Sequence, residues 1–208
     1  MDYYGRDGVQ KGLVALLAAR PASLRFEALS PTGDSLGLLV SDGRWFTSFQ
    51  RGDEVCYVGP ACPANVARLL PLPLPTEAVV LILLGEAPLI EYRDSQVTFN
   101  RRTGHYDVTL DGMTRGERQV ISVSPEDRMP RRVVVARDDE PLYQVDFSDL
   151  RPVGEALLPM RIRFQMPSRR VDLSLAYRDV LTDFEELTPE MFLFDCPKGT
   201  VPTTLHCD

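Results

Sequence analysis

The sequence predicts a mainly β protein with short helices, in which one large antiparallel sheet curls around a helical filler. Three observations carry that expectation. Apolar and polar residues alternate with period two through about ten short segments, most of them separated by turn residues. A single block, Cys62 to Leu89, leans instead toward helix. The 208-residue chain is long enough for one domain with a sizeable core, and a sheet of about ten strands twists and curls.

The helical block reads CPANVARLLPLPLPTEAVVLILLGEAPL. Pro63 suits a first helical turn, and Asn65 to Leu70 predict about two turns before Pro71, Pro73 and Pro75 remove the amide donors. Thr76 is the expected N-cap of a second helix through Leu84, and Gly85 its left-handed stop. Ala78 to Leu84 are apolar on every side, so this helix needs an enclosure. About 20 apolar residues are needed to span hydrocarbon, and this run falls short, which places the enclosure inside the protein.

Strands are expected at Leu24–Ala28, Leu36–Val40 and Arg44–Phe49, joined by turns at Pro31–Asp34 and Ser41–Gly43. After the helical block they resume at Ser95–Phe99, His105–Leu110, Gln119–Val123, Arg131–Ala136, Leu142–Phe147, Met160–Met166 and Val171–Tyr177. The last pair alternates most clearly, with Ile162, Phe164, Leu173 and Leu175 on one face and Arg161, Arg163 and Asp172 on the other. Opposed Arg and Asp favour that pairing. His105 falls with Asp107 and Thr109 on the polar face, as a surface residue rather than a ligand or base.

With 30 acidic against 23 basic residues and a net charge of −7, no nucleic-acid partner is expected. The pairs Arg101-Arg102, Arg131-Arg132 and Arg169-Arg170 read as solvated strand ends that discourage aggregation, with anionic headgroup binding the minority reading. Cys56, Cys62, Cys196 and Cys207 allow three pairings; each sequence-adjacent pair brackets a turn-like segment, so two local disulfides and an oxidising compartment are expected. Neither spacing is a metal knuckle, and no metal or cofactor is expected. Leu13–Ala19 resembles a short secretory segment, but the acidic residues before it and the unbroken pattern after it argue for a mature chain trimmed of its export signal. Gly33-Asp34-Ser35-Leu36-Gly37 matches a nucleophile-elbow string, yet strand and hairpin follow where a helix is required, leaving a Ser35 esterase as the lesser alternative.

The order of these elements, with the meander LRFEALSPTGDSLGLLVSDGRWF, the proline-broken helix pair and the closing stretch Val180–Gly199, resembles the LolA/LolB-like periplasmic lipoprotein carriers, and more narrowly the LolB-like lipoproteins. In the closing stretch, Pro189, Phe192, Phe194, Pro197 and Gly199 approximate that family's ending. The resemblance implies a single domain over residues 1–208 forming an incomplete antiparallel β-barrel. A helical lid at about 62–85 covers its open side, and its cavity takes the acyl chains of lipids or lipoproteins. It further implies a non-enzymatic monomer in the periplasm, a carrier protein as donor, and outer-membrane anchoring of the full-length form through an acylated cysteine upstream of Asp2. The Phe49–Val55 connection carries no protruding leucine of the kind the LolB-type carrier uses. The expected cavity wall is Phe26, Leu38, Val40, Phe46, Tyr106, Val108, Ile162, Phe164, Leu173 and Leu175, with Val79, Ile82 and Leu83 from a lid hinged at Gly59 and Gly85. A structural lipoprotein that keeps this fold with a filled core is the other alternative.

Overall fold

A computed structural model of the chain describes residues 1–5, 8–68, 72–182 and 186–207. Fifteen strands among them form two sheets, where the sequence led us to expect one, and neither sheet closes on itself. The chain divides into two compact units: Met1, 11–83 and 183–208 contain the six-stranded sheet, and 2–10 with 84–182 contain the nine-stranded one.

The nine-stranded sheet is built from β1 (Asp2–Gly5), β2 (Gly8–Lys11), β8 (Tyr92–Asn100), β9 (His105–Gly112), β10 (Glu117–Val123), β11 (Pro130–Arg137), β12 (Glu140–Val153), β13 (Ala156–Met166) and β14 (Val171–Ala176), in the order β2-β1-β14-β13-β12-β11-β10-β9-β8. Each strand expected after residue 91 is present. Turn chemistry fixes their order: Gly104, Gly116 and Gly154 adopt positive φ at hairpin ends, and consecutive strands then pair antiparallel.

The six-stranded sheet runs β15-β7-β6-β5-β4-β3, with β3 at Leu13–Ala19, β4 at Ser23–Leu29, β5 at Ser35–Ser41, β6 at Trp45–Gln50, β7 at Val55–Pro60 and β15 at Val201–Thr204. The apolar segment that resembles a secretory sequence is therefore strand β3, paired with β4 from Leu13↔Leu29 to Ala19↔Ser23. Leu24, Phe26, Leu39 and Phe46 point to one face of this sheet; Arg25, Leu38, Val40 and Thr47 point to the other. On the second face a strap of the closing stretch, with a 3-10 turn at Pro189–Phe192, sets Phe192, Met191 and Phe194 against Leu38 and Val40. Of that stretch, Asp183, Phe184 and Glu185 lie outside the described residues.

Helix α1 (Pro63–Val66) is a single turn, and Leu69 and Leu70, the end of its expected extent, lie outside the described residues. Helix α2 (Thr76–Leu83) packs on β3 and β4 and buries Val79, Val80, Ile82 and Leu83. Thr76 is not its N-cap. It is the first helical residue, and its hydroxyl donates to the Ala61 carbonyl at 3.2 Å, tying the helix to the exit of β7. Gly85 is left-handed as expected, at φ +81°, and a Cβ there would meet Pro159 Cδ at 2.4 Å.

The two disulfides are long-range, Cys56–Cys196 and Cys62–Cys207, and not the local pairs expected. The reason lies in β7 and β15, which the sequence presents as turn-like. An extended β7 carries the chain about 13 Å from Cys56 by Pro60, already beyond the Cα separation that a disulfide tolerates. Because β15 runs parallel to β7, from Val201↔Val55 to Thr204↔Val58, earlier cysteine meets earlier and later meets later. The bridges close loops of 140 and 145 residues and hold the C-terminal strap to the sheet. Non-reducing peptide mapping is expected to recover these two linkages and neither local one. Replacing Cys56 and Cys196 together by Ser is expected to lower urea-unfolding stability by about 2–5 kcal/mol.

Candidate ligand-binding face

The registers of the nine-stranded sheet align one apolar row across eight strands: Val97, Val108, Ile121, Val133, Val145, Phe164, Leu173 and Tyr3 stand successively opposite one another. One residue along each strand, the facing row is Thr98, Asp107, Ser122, Arg132, Asp146, Arg163, Ser174 and Asp2. Period-two alternation alone sorts the two faces, and a one-residue slip in any strand would put charge into the apolar row.

The wet face is held by charge pairs. Arg163 donates through Nε and Nη2 to both oxygens of Asp172, at 2.9 and 2.5 Å, and Gln165 adds a third hydrogen bond at 3.2 Å. Arg132 Nε reaches Asp146 at 2.5 Å, and Ser122 donates to Asp107 at 2.5 Å. Hydrogen bonding from Arg163 holds the Asp172 carboxyl below its ordinary value, against a smaller opposing effect of burial.

On the apolar face burial falls off most steeply toward the β8–β9 end. Val133 and Val145 are fully buried and Phe164 and Leu173 nearly so, whereas Val97 is 60% exposed, Phe99 52% and Tyr106 44%. Phe99 and Tyr106 stand edge to face across the β8–β9 hairpin, ring centroids 5.2 Å apart. At the buried end Tyr143 stacks on Phe164 at 5.7 Å, and its phenol is pushed up to about 12 by burial, with the Glu117 charge adding to it.

Gln119 is a polar residue set into this face, opposite Leu110 and Val135, and it is fully buried. Its Nε2 donates to the Pro88 carbonyl at 2.6 Å and its Oε1 accepts from the Ile90 amide at 3.0 Å. The amide side chain thus supplies both halves of a backbone-like bridge, fixing residues 88–90 over the sheet, which explains a buried glutamine in an apolar row.

Of the wall expected from sequence, Tyr106, Val108, Ile162, Phe164, Leu173 and Leu175 share this face. Phe26 and Phe46 lie on one face of the six-stranded sheet and Leu38 and Val40 on its other, under Phe192, so these four do not converge. Val79, Ile82 and Leu83 are buried on α2. The sequence reading passed over Val97, Phe99 and Gln119. For the first two the signal was present, since Val97 and Phe99 alternate in phase with Tyr106 and Val108; a lone Gln in a strand offers none.

Two small cavities flank Phe194 on the strap side of the six-stranded sheet. The larger, about 250 Å³, is lined by Arg25, Leu38, Phe49 and Pro197 among others, and is below the size of usual ligand sites. Ser35, which borders it, is exposed at the start of β5, after a turn in which Gly33 takes φ +90°. Strand follows where an elbow requires helix, so the nucleophile geometry is not formed at Ser35. All four cysteines are in disulfides, which removes them as metal ligands. No helix among the described residues is long and apolar enough to cross a membrane.

Solved structures with this fold cover most of the chain. A domain from Vibrio parahaemolyticus named for outer membrane lipoprotein sorting superposes with a TM-score of 0.56 at 10% identity, over 92% of this chain and 85% of its own. A DUF1329 family protein from Desulfovibrio piger gives 0.58 at 12% identity, over 92% and 86%. A LolA superfamily protein from Nitrosomonas europaea gives 0.59 at 13% identity, over 93% and 86%. No family model and no curated protein matches the sequence. The chain therefore has the LolA-like fold, and the matches take in both sheets.

Two outcomes follow from this geometry. Gln119→Leu strands the Pro88 carbonyl and the Ile90 amide, and is expected to cost about 2–4 kcal/mol in urea unfolding, with faster amide exchange at residues 89–91. The Asp172 shift is downward, so its stabilisation is present above the ordinary carboxylate range near pH 4 and disappears as pH falls through the lowered value. Arg163 is more than half exposed, which limits the pair to about 1 kcal/mol. Asp172→Asn is therefore expected to show a lower plateau and a shallower acid limb in stability measured against pH.

Proposed function

We propose that this protein binds the acyl chains of lipids or lipoproteins along the apolar face of the nine-stranded sheet, entering at the β8–β9 end. The carrying observation is the exposure gradient: one uninterrupted apolar row passes from fully buried Val133 to Val97 at 60% exposure. An exposed end continuous with a buried row lets a hydrocarbon chain add contact progressively, at about 0.8 kcal/mol per methylene removed from water. The fold shared with proteins named for lipoprotein sorting and for the LolA superfamily supports the same reading.

On this reading the protein works in the periplasm, where two disulfides persist, receives its cargo from a carrier protein, and acts at the outer membrane. Residues 62–85 are the lid, moving about Gly59 and Gly85. Some of the acyl-chain binding energy offsets displacement of side chains packed on the face, because Ile162, Phe164, Leu173 and Leu175 are all buried.

That same burial favours a second reading, a structural protein with a filled core. Native mass spectrometry of gently purified protein and titration with a fluorescent long-chain fatty acid separate the two. Acyl binding predicts co-purifying lipid and at least a tenfold weaker fatty-acid affinity in Val97→Asp or Phe99→Asp, with the melting temperature little changed because both positions are exposed. No lipid, and no binding by the parent protein, would establish the structural reading.

A further inference from the structure

Strand β8 is the last strand of the nine-stranded sheet, so its outer backbone edge has no neighbouring strand among the described residues. Eight of its nine residues are exposed, Asn100 being the exception. Proteins that keep such an edge monomeric blunt it with lysine, proline, a bulge or a covering loop. Here the register irregularity, together with Arg93 and Asp94, lies at one end, between Tyr92 and Asp94. The stretch Ser95–Phe99 has neither lysine nor proline, pairs regularly with β9, and exposes Val97 and Phe99.

We propose that β8 pairs antiparallel with β8 of a second copy of this chain, forming a closed two-fold dimer with Thr98 on the axis. In any two-fold antiparallel pair the residue on the axis meets itself, and its choice fixes every other pair. Placing Gln96 on the axis sets Val97 against Ser95 and Phe99 against Arg93. With Val97 there, Phe99 meets Ser95; with Phe99 there, Val97 meets Arg101. Only with Thr98 on the axis does Val97 meet Phe99 in both directions, giving two apolar cross-strand pairs of the kind that stabilise sheets.

The same register puts Gln96 against Asn100 and Thr98 against Thr98 on the polar face. It also brings Asp94 of each copy opposite the hairpin tip of the other, at Arg102, so the pair is complementary in charge as well as in apolar surface. The two apolar rows then join edge to edge: Leu173 through Val97 of one copy continues into the Phe99 row of the second. Because an isologous contact uses the same strand on both copies, it consumes both free edges and stops at two. This inference does not depend on acyl binding, and it replaces the monomer expected from the sequence.

Thr98 is the position that tests it, since its side chain is on the polar face, away from the proposed acyl surface. Sedimentation velocity at micromolar concentrations is expected to show a dimer for the parent chain. Thr98→Lys and Thr98→Glu each set like charges directly opposite across the axis, and each is expected to weaken dimerisation at least tenfold. Mixing the two variants one to one is expected to restore a dimer, as a heterodimer with opposed charges. Val97→Lys, which removes the apolar pairs at an exposed site, is expected to be monomeric with an unchanged far-ultraviolet spectrum. A parent chain that remains monomeric throughout that range overturns the proposal, as does a Thr98→Lys variant that dimerises as tightly as the parent.

Discussion

The constraint on which the nine-stranded unit depends is phase. Eight strands must keep their period-two alternation in step so that Val97, Val108, Ile121, Val133, Val145, Phe164, Leu173 and Tyr3 fall in one line. Each strand contributes one apolar side chain to that line and one polar side chain to the line behind it, and neither set can be satisfied if a neighbour slips by a residue. The charge pairs on the wet face add little individually, being largely exposed, but Arg132 with Asp146 and Arg163 with Asp172 penalise wrong registers by opposing like charges. Where register does shift, between Tyr92 and Asp94, between Ser122 and Val123 and between Val135 and Ala136, the irregularity lies near strand ends, clear of the central row.

The six-stranded unit is organised differently. Its central strand β5 is buried on both faces through Leu38, Leu39 and Val40, which demands cover on each side. One cover is the C-terminal strap, whose Phe192 and Met191 pack on Leu38 and Val40. The disulfides anchor that strap. By bridging β7 and its exit to positions either side of β15, they tie the C-terminal segment to the sheet, and they do so over loops long enough for the chain-entropy contribution to be large.

Much of this was legible in the sequence. The strands from Ser95 to Ala176 were each expected because their alternation is clean and their turns carry Gly, Pro, Asn and Asp, although β12 runs on to Val153 and β13 starts at Ala156, well beyond the expected bounds. Gly85 could be read as a helix stop because a left-handed residue at that place strongly favours glycine. The rest failed for physical reasons. A strand such as β7, Val-Cys-Tyr-Val-Gly-Pro, or β15, Val-Pro-Thr-Thr, contains turn formers and becomes extended only through tertiary pairing. Missing both strands made local disulfides plausible. The single expected sheet became two because alternation reports that a strand has two faces but not which strands share a sheet. For the same reason Phe26 and Leu38 were assigned to one wall, although cross-strand register places them on opposite faces of the six-stranded sheet.

The apolar row of the nine-stranded sheet ends with Val97 and Phe99 in water, and an unfilled end is a thermodynamic cost that two different contacts can relieve. In the proposed binding mode an acyl chain would approach along the normal to the sheet and cover the side chains. A second copy approaches in the plane of the sheet and satisfies the backbone edge, leaving the outer surface of those side chains still uncovered. The two contacts therefore do not compete for the same atoms. Pairing through β8 would lengthen the apolar row without closing it over, so that a dimer offers a hydrocarbon ligand a longer track than either chain does alone. Because methylene contributions accumulate with contact length, the edge geometry of one strand would, under the proposed function, bear directly on how long a chain the face could hold.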